Sequence, residues 1–430
     1  MRTLHTAPPF TELRLLLRDE AAEDLELRDS VAAIVRRVAD GGDDALLDYV
    51  RQFDGFHPAK VADLRVDARQ LEEAASSVAP ELLQSLRRAA DHIRRFHERQ
   101  REHGFLDILE DGSLLGQRVA PLRRVGIYVP GGRAAYPSSV LMNAIPAAVA
   151  GVPQIAMATP APGGEIQPAV LAAAWVAGVT EVIRMGGAHA VAALAYGTQS
   201  IAAVDKITGP GNRWVAEAKR QVFGRVDIDM VAGPSEILVV ADDAADARHV
   251  AADLIGQAEH DPDAIAWLVT TSAALASAVP AEIERLLAAN PRREIARAAL
   301  EAHGLICVVP DIDVAAQVAE LRAPEHLELL TAEPLALAGR IHSAGAIFLG
   351  AHSPEPVGDY FAGPNHVLPT GGTARWASPL GVYDFVRRTS LIGYSASRLR
   401  QHAPDVIRLA EAEGLHGHAE AIRVRLAPDR

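Results

Sequence analysis

The chain has 430 residues, of which 49% are hydrophobic, 23% are charged and only 5% are aromatic. This length exceeds the usual size of one hydrophobic core, so we expect at least two packed domains, and the composition excludes a largely disordered chain. The net charge of −13 and the few aromatic residues argue against a nucleic-acid partner, because such binding needs clustered cations and stacking surfaces.

Cys307 is the single cysteine of the sequence and lies in the buried-strand pattern LICVVP. A single cysteine excludes an intrachain disulfide and fits a reducing compartment. The first twenty residues lack the continuous apolar core of a secretory signal. Prolines and polar residues interrupt the apolar stretch 140–158, which is better explained by a helix that ends near Ala150 and a buried strand after it. We therefore expect a cytoplasmic protein without a membrane span.

In chain order, apolar residues recur three and four apart from about residue 30 to 103, which predicts helices, and Gly41-Gly42 separates two of them. From residue 124 short apolar runs alternate with alanine-rich helical patterns, and a second such series runs over 235–350. This alternation predicts βαβ units, that is, an α/β fold with parallel sheets. Two short helical patterns and the strand-like AIRVRL follow near the C-terminus.

Three glycine-rich turns follow predicted strands, in RVGIYVPGGR, RMGGAHAV and DKITGPGNRW. Glycine lets backbone amides approach a phosphate, and the helix that follows presents the positive end of its dipole. Each turn alone could be ordinary α/β topology. Three in one sheet predict a nucleotide-sized crevice.

Three segments hold side chains that could bind a metal ion. Gln257 and His260 lie three residues apart near the end of a predicted helix, where they could grip one ion or simply form a polar helix end. Glu355, Asp359 and His366 lie on a long segment rich in glycine and proline, and a turn or a strand cap would explain them equally well.

A third such segment is HGH near the C-terminus, where His418 could be a ligand or part of a solvated helix end. The nitrogen and oxygen donors of the three segments suit zinc or manganese better than a soft metal. They are Gln257, His260, Asp359 and His418.

The stretch RAPEHLELL places Glu325 beside His326. In one interpretation Glu325 caps a helix that begins after Pro324, and His326 packs in the core. In the other, a general base and a proton acceptor stand together at that helix start.

In their order along the chain, seven blocks resemble the histidinol dehydrogenase family. They are RVGIYVPGG, GPGNRWVAEAKR, DMVAGPSEILVVAD, LIGQAEHDPDA, APEHLEL, VGDYFAGPNHVLPTGG and EAEGLHGHAEAIRVRL, which together span about residues 125–426. The resemblance implies an NAD-dependent, zinc-containing enzyme. It would oxidise L-histidinol through L-histidinaldehyde to L-histidine, the last steps of histidine biosynthesis.

The resemblance also implies roles for individual residues. These are the zinc ligands Gln257, His260, Asp359 and His418 with one Zn²⁺ per subunit, the acid/base pair Glu325 and His326, the substrate contacts Ser235 and Glu413, and the NAD contacts Tyr128, His189 and Asn212. The zinc ligands and His326 would also contact the substrate. His189 departs from the glutamine usual in the family, but its imidazole can still donate a hydrogen bond.

The fold implied is two incomplete Rossmann-like domains with parallel sheets and small N- and C-terminal arms. The expected bounds are 1–24 for the N-terminal arm, 25–127 with 236–379 for a discontinuous catalytic domain, 128–235 for the NAD-binding domain and 380–430 for the C-terminal arm. Family members are homodimers with intertwined arms, so Glu413 and His418 would complete the partner's site.

Three alternatives remain open from the sequence. A relative within the family could oxidise another small alcohol, although Glu413 and His418 favour histidinol. The predicted ligands could serve a zinc hydrolase in which Glu325 activates a metal-bound water. An α/β scaffold could also be a binding protein without activity.

Overall fold

The computed structural model describes residues 1–19, 24–131 and 135–426. Gly132 of the predicted VPGG turn lies outside these residues. The chain forms two compact units, Met1–Gln100 with Leu122–Phe385 and Arg101–Pro121 with Val386–Arg430. Among the described helices, none combines the length and the apolar character needed to cross a bilayer.

The described residues form fifteen strands and sixteen α-helices. The strands are β1 (Arg2–His5), β2 (Arg65–Val66), β3 (Phe105–Ile108), β4 (Leu114–Pro121), β5 (Arg124–Tyr128), β6 (Gln154–Thr159), β7 (Glu181–Arg184), β8 (Lys206–Thr208), β9 (Asp227–Ile228), β10 (Glu236–Ala241), β11 (Ile265–Thr270), β12 (Leu305–Val308), β13 (His326–Leu330), β14 (Ala346–Leu349) and β15 (Val386–Gly393). The helices are α1 (Thr11–Asp19), α2 (Leu25–Tyr49), α3 (Ala68–Ser77), α4 (Pro80–Glu98), α5 (Pro137–Ala150), α6 (Pro168–Ala177), α7 (Gly187–Tyr196), α8 (Arg213–Val222), α9 (Ala247–Ala258), α10 (Ala273–Leu287), α11 (Arg293–Ala302), α12 (Ile312–Arg322), α13 (Pro334–Ala338), α14 (Glu355–Tyr360), α15 (Ala396–Ala412) and α16 (His416–Leu426).

The first unit contains two six-stranded sheets, which confirms the predicted α/β fold. Sheet A has the order β1-β12-β11-β10-β13-β14 and is parallel throughout. Sheet B has the order β2-β7-β6-β5-β8-β9, and only the short β2 runs antiparallel to its neighbour. Both have the parallel, Rossmann-like character expected from alternating strands and helices.

Helices cover both faces of each sheet and make four apolar clusters. The core of sheet B packs against α3 to α6 on one face and against α2, α7 and α8 on the other. Sheet A packs against α1, α12 and α13 on one face and against α9 to α11 on the other. Strands buried on both faces are mostly apolar, which is why β10 after Glu236 and β11 up to Val269 are continuous hydrophobic runs.

Local signals in the sequence place several element ends. Helix α5 ends at Ala150, where Gly151 adopts a left-handed conformation with φ +89°, and the buried β6 follows, as expected. Gly42 interrupts α2 with φ +57°, which agrees with the predicted separation at Gly41-Gly42. Cys307 lies in the buried β12, also as predicted.

The second unit contains an antiparallel sheet in the order β15-β4-β3 together with α15 and α16. The expectation of a terminal strand at AIRVRL was wrong, because these residues lie in α16. Within this unit α16 packs against α15, and Ala410 and Ala419 are buried. Burial of these small residues against a neighbouring helix outweighs the alternating pattern of the sequence.

Candidate active site

The structure corrects the expected helix start at Glu325 and His326. Helix α12 ends at Arg322, Ala323 turns the chain with φ +51°, and His326 is the first residue of β13. Strand β13 pairs in parallel with β10, with His326 opposite Ile237. Glu325 and His326 therefore lie at the amino end of a central, buried strand, where they are 7% and 5% exposed.

The main chain of Glu236, the first residue of β10, holds both of these side chains. Its N–H donates to Oε2 of Glu325 at 2.9 Å, and its carbonyl oxygen lies 3.1 Å from Nδ1 of His326. A carbonyl oxygen can only accept, so Nδ1 carries the proton and donates it to this bond. His326 therefore presents an unprotonated Nε2.

The side chain of Glu236 is itself held by an ion pair and a hydrogen bond. It forms a buried ion pair with Arg322 and accepts a hydrogen bond from the N–H of Gly371 at 2.9 Å. Arg322 also lies over the ring of Trp267, with 4.8 Å from its guanidinium carbon to the ring centre. Because both charges are paired within the core, Glu236 is held in place, and so are its N–H and carbonyl groups, which bind Glu325 and His326.

Burial shifts the protonation of the pair in opposite directions. It lowers the pKa of His326 to about 4, because burial disfavours the imidazolium. It raises the pKa of the Glu325 carboxyl well above its usual range, with further repulsion from Glu236 and Asp359. At neutral pH His326 is therefore a neutral imidazole, and Glu325 holds its proton more readily than an exposed glutamate.

Three possible metal ligands converge beside this pair. A ring nitrogen of His260 and carboxylate oxygens of Glu355 and Asp359 lie within 4.8 Å of one another. Nε2 of His326 is 3.8 Å from Oδ1 of Asp359, and its Nδ1 is 3.9 Å from Oε1 of Glu355. Nitrogen and carboxylate oxygen atoms at this spacing suit zinc or a similar divalent ion.

Gln257 belongs to the same cluster. It is fully buried near the end of α9, and in the orientation that satisfies its amide the nitrogen donates to both carboxylate oxygens of Glu355, at 2.7 and 2.8 Å. The amide oxygen, which is the atom that could ligate a metal, then points away from Glu355. His260 lies two residues beyond the end of α9, so only Gln257 of the two belongs to the helix.

Two imidazoles in the site have a buried nitrogen without a hydrogen-bond partner among the described residues. They are Nε2 of His326 and Nε2 of His366. Burial also lowers the pKa of His366, so it too is neutral at physiological pH. Buried polar atoms without partners are unusual, and the unpartnered Nε2 of His326 lies 3.8 Å from the carboxylate of Asp359. The cluster therefore fits a cation and a polar ligand bound together.

The remaining residues predicted to contact the substrate or zinc lie in two places. Ser235 directly precedes β10 and is half-buried, beside the peptide group of Glu236. Glu413 and His418 belong to the second unit, where Glu413 ends α15, His418 lies in α16, and both are exposed. Within the first unit, the structure thus brings together Gln257, His260, Asp359, Glu325 and His326.

The predicted NAD contacts surround the switch point of sheet B. The chain runs from β5 outward through β6 and β7 and then returns to β8 on the other side of β5. In open α/β sheets such a reversal leaves a crevice at the carboxyl ends of the two strands. Tyr128 ends β5, and Asn212 follows β8 and caps α8 by accepting from the N–H groups of Trp214 and Val215.

His189 lies in the first turns of α7, next to this crevice. It is buried, and its Nε2 is 3.4 Å from Oδ2 of Asp54. The Tyr128 hydroxyl accepts from the N–H of Gly187 at 3.0 Å, and burial raises the pKa of Tyr128 to about 12. The phenol thus stays protonated and keeps a hydrogen to donate.

Sequence reasoning missed some members of this network. Glu236 acts through its peptide group, which leaves no side-chain signature, and its pairing with Arg322 depends on the tertiary fold. Glu355 and His366 were named as candidates, but a turn explained them equally well. The signal that favours Glu355 and His366 is that they share a segment with Asp359. Glu355 and Asp359 lie in the short helix α14, and His366 lies in the loop after it.

Comparisons with known proteins agree on one family. The sequence profile described as histidinol dehydrogenase matches residues 17–426. A histidinol dehydrogenase of Heliobacterium mobile is 55% identical over 412 residues, covering 95% of this chain and 96% of that protein. One of Geobacillus kaustophilus (strain HTA426) is 54% identical over 402 residues, covering 93% and 94%. The crystal structure of histidinol dehydrogenase from Elizabethkingia anophelis is 36% identical, with a TM-score of 0.91, and covers 99% of this chain and 98% of that one.

Proposed function

The chain belongs to the histidinol dehydrogenase family, and from this premise we propose that it oxidises L-histidinol to L-histidine in two NAD-dependent steps with one zinc ion per subunit. Membership makes it an oxidoreductase of histidine biosynthesis that acts on histidinol. The observation that carries the proposal is the pairing of a neutral, oriented His326 with a buried Glu325 beside three possible metal ligands.

His326 acts in the first oxidation as the proton acceptor. Its Nδ1 is committed to the carbonyl oxygen of Glu236, so the alcohol proton passes to Nε2 while a hydride leaves the carbinol carbon. The product of this step is the aldehyde. A base that is unprotonated at neutral pH and held in one tautomer is what this transfer requires.

Glu325 acts in the second oxidation. It takes a proton from the water that adds to the aldehyde carbon, which gives a gem-diol. Loss of a second hydride and of one hydroxyl proton from that gem-diol yields the carboxylic acid, which releases its remaining proton to give the carboxylate. Burial raises the pKa of Glu325 well above its usual range, which makes its carboxylate a stronger base than an exposed one. Cysteine chemistry has no part in this route, since the single cysteine is buried in β12.

Gln257, His260 and Asp359 would hold zinc in one protomer, with His418 contributed by the partner subunit. Two of these residues, His260 and Asp359, converge in the cluster, and Gln257 lies beside them, hydrogen-bonded to Glu355, which supports this assignment. When bound, zinc would hold the imidazole and amino nitrogens of histidinol in place, and NAD would accept the hydride of each oxidation. Ser235 and Glu413 would hydrogen-bond the substrate.

For the dinucleotide we propose Tyr128, His189 and Asn212 as contacts. The carboxyl ends of β5 and β8 and the start of α8 support this place, because the positive end of a helix favours phosphate. In this division of labour, residues 128–235 bind NAD and residues 25–127 with 236–379 carry the chemistry. Residues 1–24 and 380–430 form the arms.

We further propose a cytoplasmic homodimer in which residues 380–430 complete the partner's site. The second unit supports this, since it exposes large apolar side chains that a monomer would leave in water: Phe105, Ile108, Ile392, Leu409 and Val424. Apolar surface of this kind marks an interface, and two-fold pairing is the usual arrangement.

The test is the stoichiometry of the purified protein with L-histidinol and NAD. Two NADH per histidine formed, with activity lost on chelation and regained with zinc, is the expected result. NADH formed only from a different alcohol would assign another substrate to this site. Failure to form NADH, together with no detectable binding of NAD, would overturn the proposal.

A further inference from the structure

A fully buried ion pair stands behind the glycine-rich turn TGPGN that follows β8. Lys219, in the interior of α8, pairs with Asp229, which follows β9, and their side chains are only 2% and 1% exposed. A lysine is rarely buried so completely, because removing its charge from water costs free energy that only close partners offset. The reaction proposed above uses neither residue.

The pair grips the main chain of a single glycine. The ammonium of Lys219 donates to the carbonyl oxygen of Gly209 at 2.9 Å. The N–H of the same glycine donates to Oδ2 of Asp229 at 2.7 Å, and Oδ1 accepts from the N–H of Met230 at 2.7 Å. Both polar groups of Gly209 are thus bound by charged atoms, which form stronger hydrogen bonds than neutral ones.

Gly209 is also pressed against Tyr128. Its φ of +111° lies in the region that favours glycine, and a Cβ at this position would stand 2.1 Å from the carbonyl oxygen of Tyr128. Three residues further on, Asn212 begins α8. The turn held by Lys219 and Asp229 therefore fixes the spacing between two of the proposed dinucleotide contacts.

We infer that Lys219 and Asp229 are positioning residues for the dinucleotide: by clamping Gly209 they hold Tyr128 and Asn212 at the distance that NAD binding requires. This inference rests on the proposed function. It concerns NAD affinity and not the metal cluster, since the clamp binds the turn after β8 of sheet B, whereas the residues of the cluster lie in α14 and just beyond α9. Loss of the clamp should weaken NAD binding while zinc binding stays unchanged.

The test uses the double variant Lys219→Met with Asp229→Asn, which removes both charges together and leaves neither buried without a partner. The matched control is Lys206→Met. Lys206 is also buried, pairs with Asp227 at 2.9 Å and Asp384 at 3.5 Å, and lies at the opposite end of the same strand β8. Both variants lose a buried cation, one from α8 and the other from β8, but only the double variant loses the clamp.

NAD binding is measured by calorimetry, with the zinc content and the thermal midpoint of each variant. We expect the clamp variant to bind NAD about 10 to 100 times more weakly than wild type, as for a small displacement of positioning groups. Its KM for NAD should rise while its KM for histidinol does not. Lys206→Met should keep the NAD affinity of wild type even if its thermal midpoint falls.

Equal NAD affinity in wild type and the clamp variant would overturn the inference, and so would an equal loss in Lys206→Met. If the double variant does not fold, Asp229→Asn alone, which keeps an acceptor of the same size, is held to the same criteria. Wild type is measured first. If wild type itself does not bind NAD, the proposed function fails and takes the inference with it, whereas a failure in the variants alone overturns only the inference.

Discussion

Nδ1 of His326 donates to the carbonyl oxygen of Glu236 across 3.1 Å, from the first residue of β13 to the first residue of β10. Because adjacent parallel strands fix this distance, the imidazole has one orientation and one neutral tautomer. The base proposed for alcohol oxidation is thus set by the register of two strands. The register in turn is set by burial of both strands on both faces.

His326→Asn should separate the structural role from the chemical one. The amide nitrogen of asparagine can occupy the place of Nδ1 and keep the bond to Glu236, but no atom replaces Nε2. We expect the thermal midpoint to stay close to that of wild type and kcat with histidinol to fall by about 100-fold or more. His303→Asn, at a half-exposed histidine of the same unit, is the control. Activity within threefold of wild type would show that Nε2 is not the base.

Gly345→Ala should disturb Glu325 without touching its side chain. A Cβ at Gly345 would lie 2.5 Å from the carbonyl oxygen of Glu325, in a backbone contact that cannot yield easily. We expect a loss of about 1–3 kcal/mol in the free energy of unfolding and reduced turnover. At Gly339 the nearest atom would be 3.6 Å away, so Gly339→Ala should be tolerated. Denaturant unfolding and steady-state kinetics measure both, and equal effects would contradict the argument.

The pH dependence of stability should expose the buried Glu328. Burial, with repulsion from Asp253, raises the pKa of Glu328 to about 9, and one of its oxygens accepts from the N–H of Glu355 at 2.7 Å. The native state therefore keeps a proton that the unfolded chain loses above pH 4.5. Stability from this group is present below that pH and is lost as the pH rises towards 9.

Glu328→Gln cannot ionise, so relative to wild type its free energy of unfolding should improve from pH 5 to pH 8.5, with a limiting slope of about 1.4 kcal/mol per pH unit. Glu320→Gln is a control of opposite sign. Although burial raises the pKa of Glu320, hydrogen bonds from Ser343 and His342 lower it overall, so Glu320 stabilises at higher pH and its loss should cost more there. Parallel trends in the two variants would contradict both assignments.

Zinc retention should depend on the two histidines proposed as ligands. His260→Asn and His418→Asn should each weaken zinc binding by about 10-fold or more, since each removes a proposed nitrogen ligand and leaves the proposed site with one donor fewer. His416→Asn changes an exposed histidine of α16 and serves as the control. Elemental analysis after dialysis against graded chelator measures the effect. If His418→Asn keeps its zinc like the control, it is not a ligand.

Much of the fold could be predicted from the sequence, because local rules decide it. Gly151 ends α5, and Gly42 breaks α2, since each sits where the chain needs a left-handed residue. The apolar runs of β10 to β12 predict strands that are covered on both faces. Such signals lie within a few residues of the element that they define.

Other features depended on contacts between distant parts of the chain. APEHLEL is compatible with a helix or a strand, and only pairing with β10 makes it β13. AIRVRL alternates like a strand, but packing against α15 makes it part of α16. The roles of Glu236 and of the pair Lys219 and Asp229 arise from peptide groups and burial, which residue types alone do not reveal.

The central claim is that Glu325 and His326 divide the two oxidations between them, and Glu325→Gln tests it most directly. Rates are measured separately with L-histidinol under single-turnover conditions and with L-histidinaldehyde, with the exposed Glu333→Gln as control. We predict that aldehyde oxidation falls by about 100-fold or more while alcohol oxidation stays within a few-fold of wild type. An equal loss in both steps would contradict the division of labour on which this account rests.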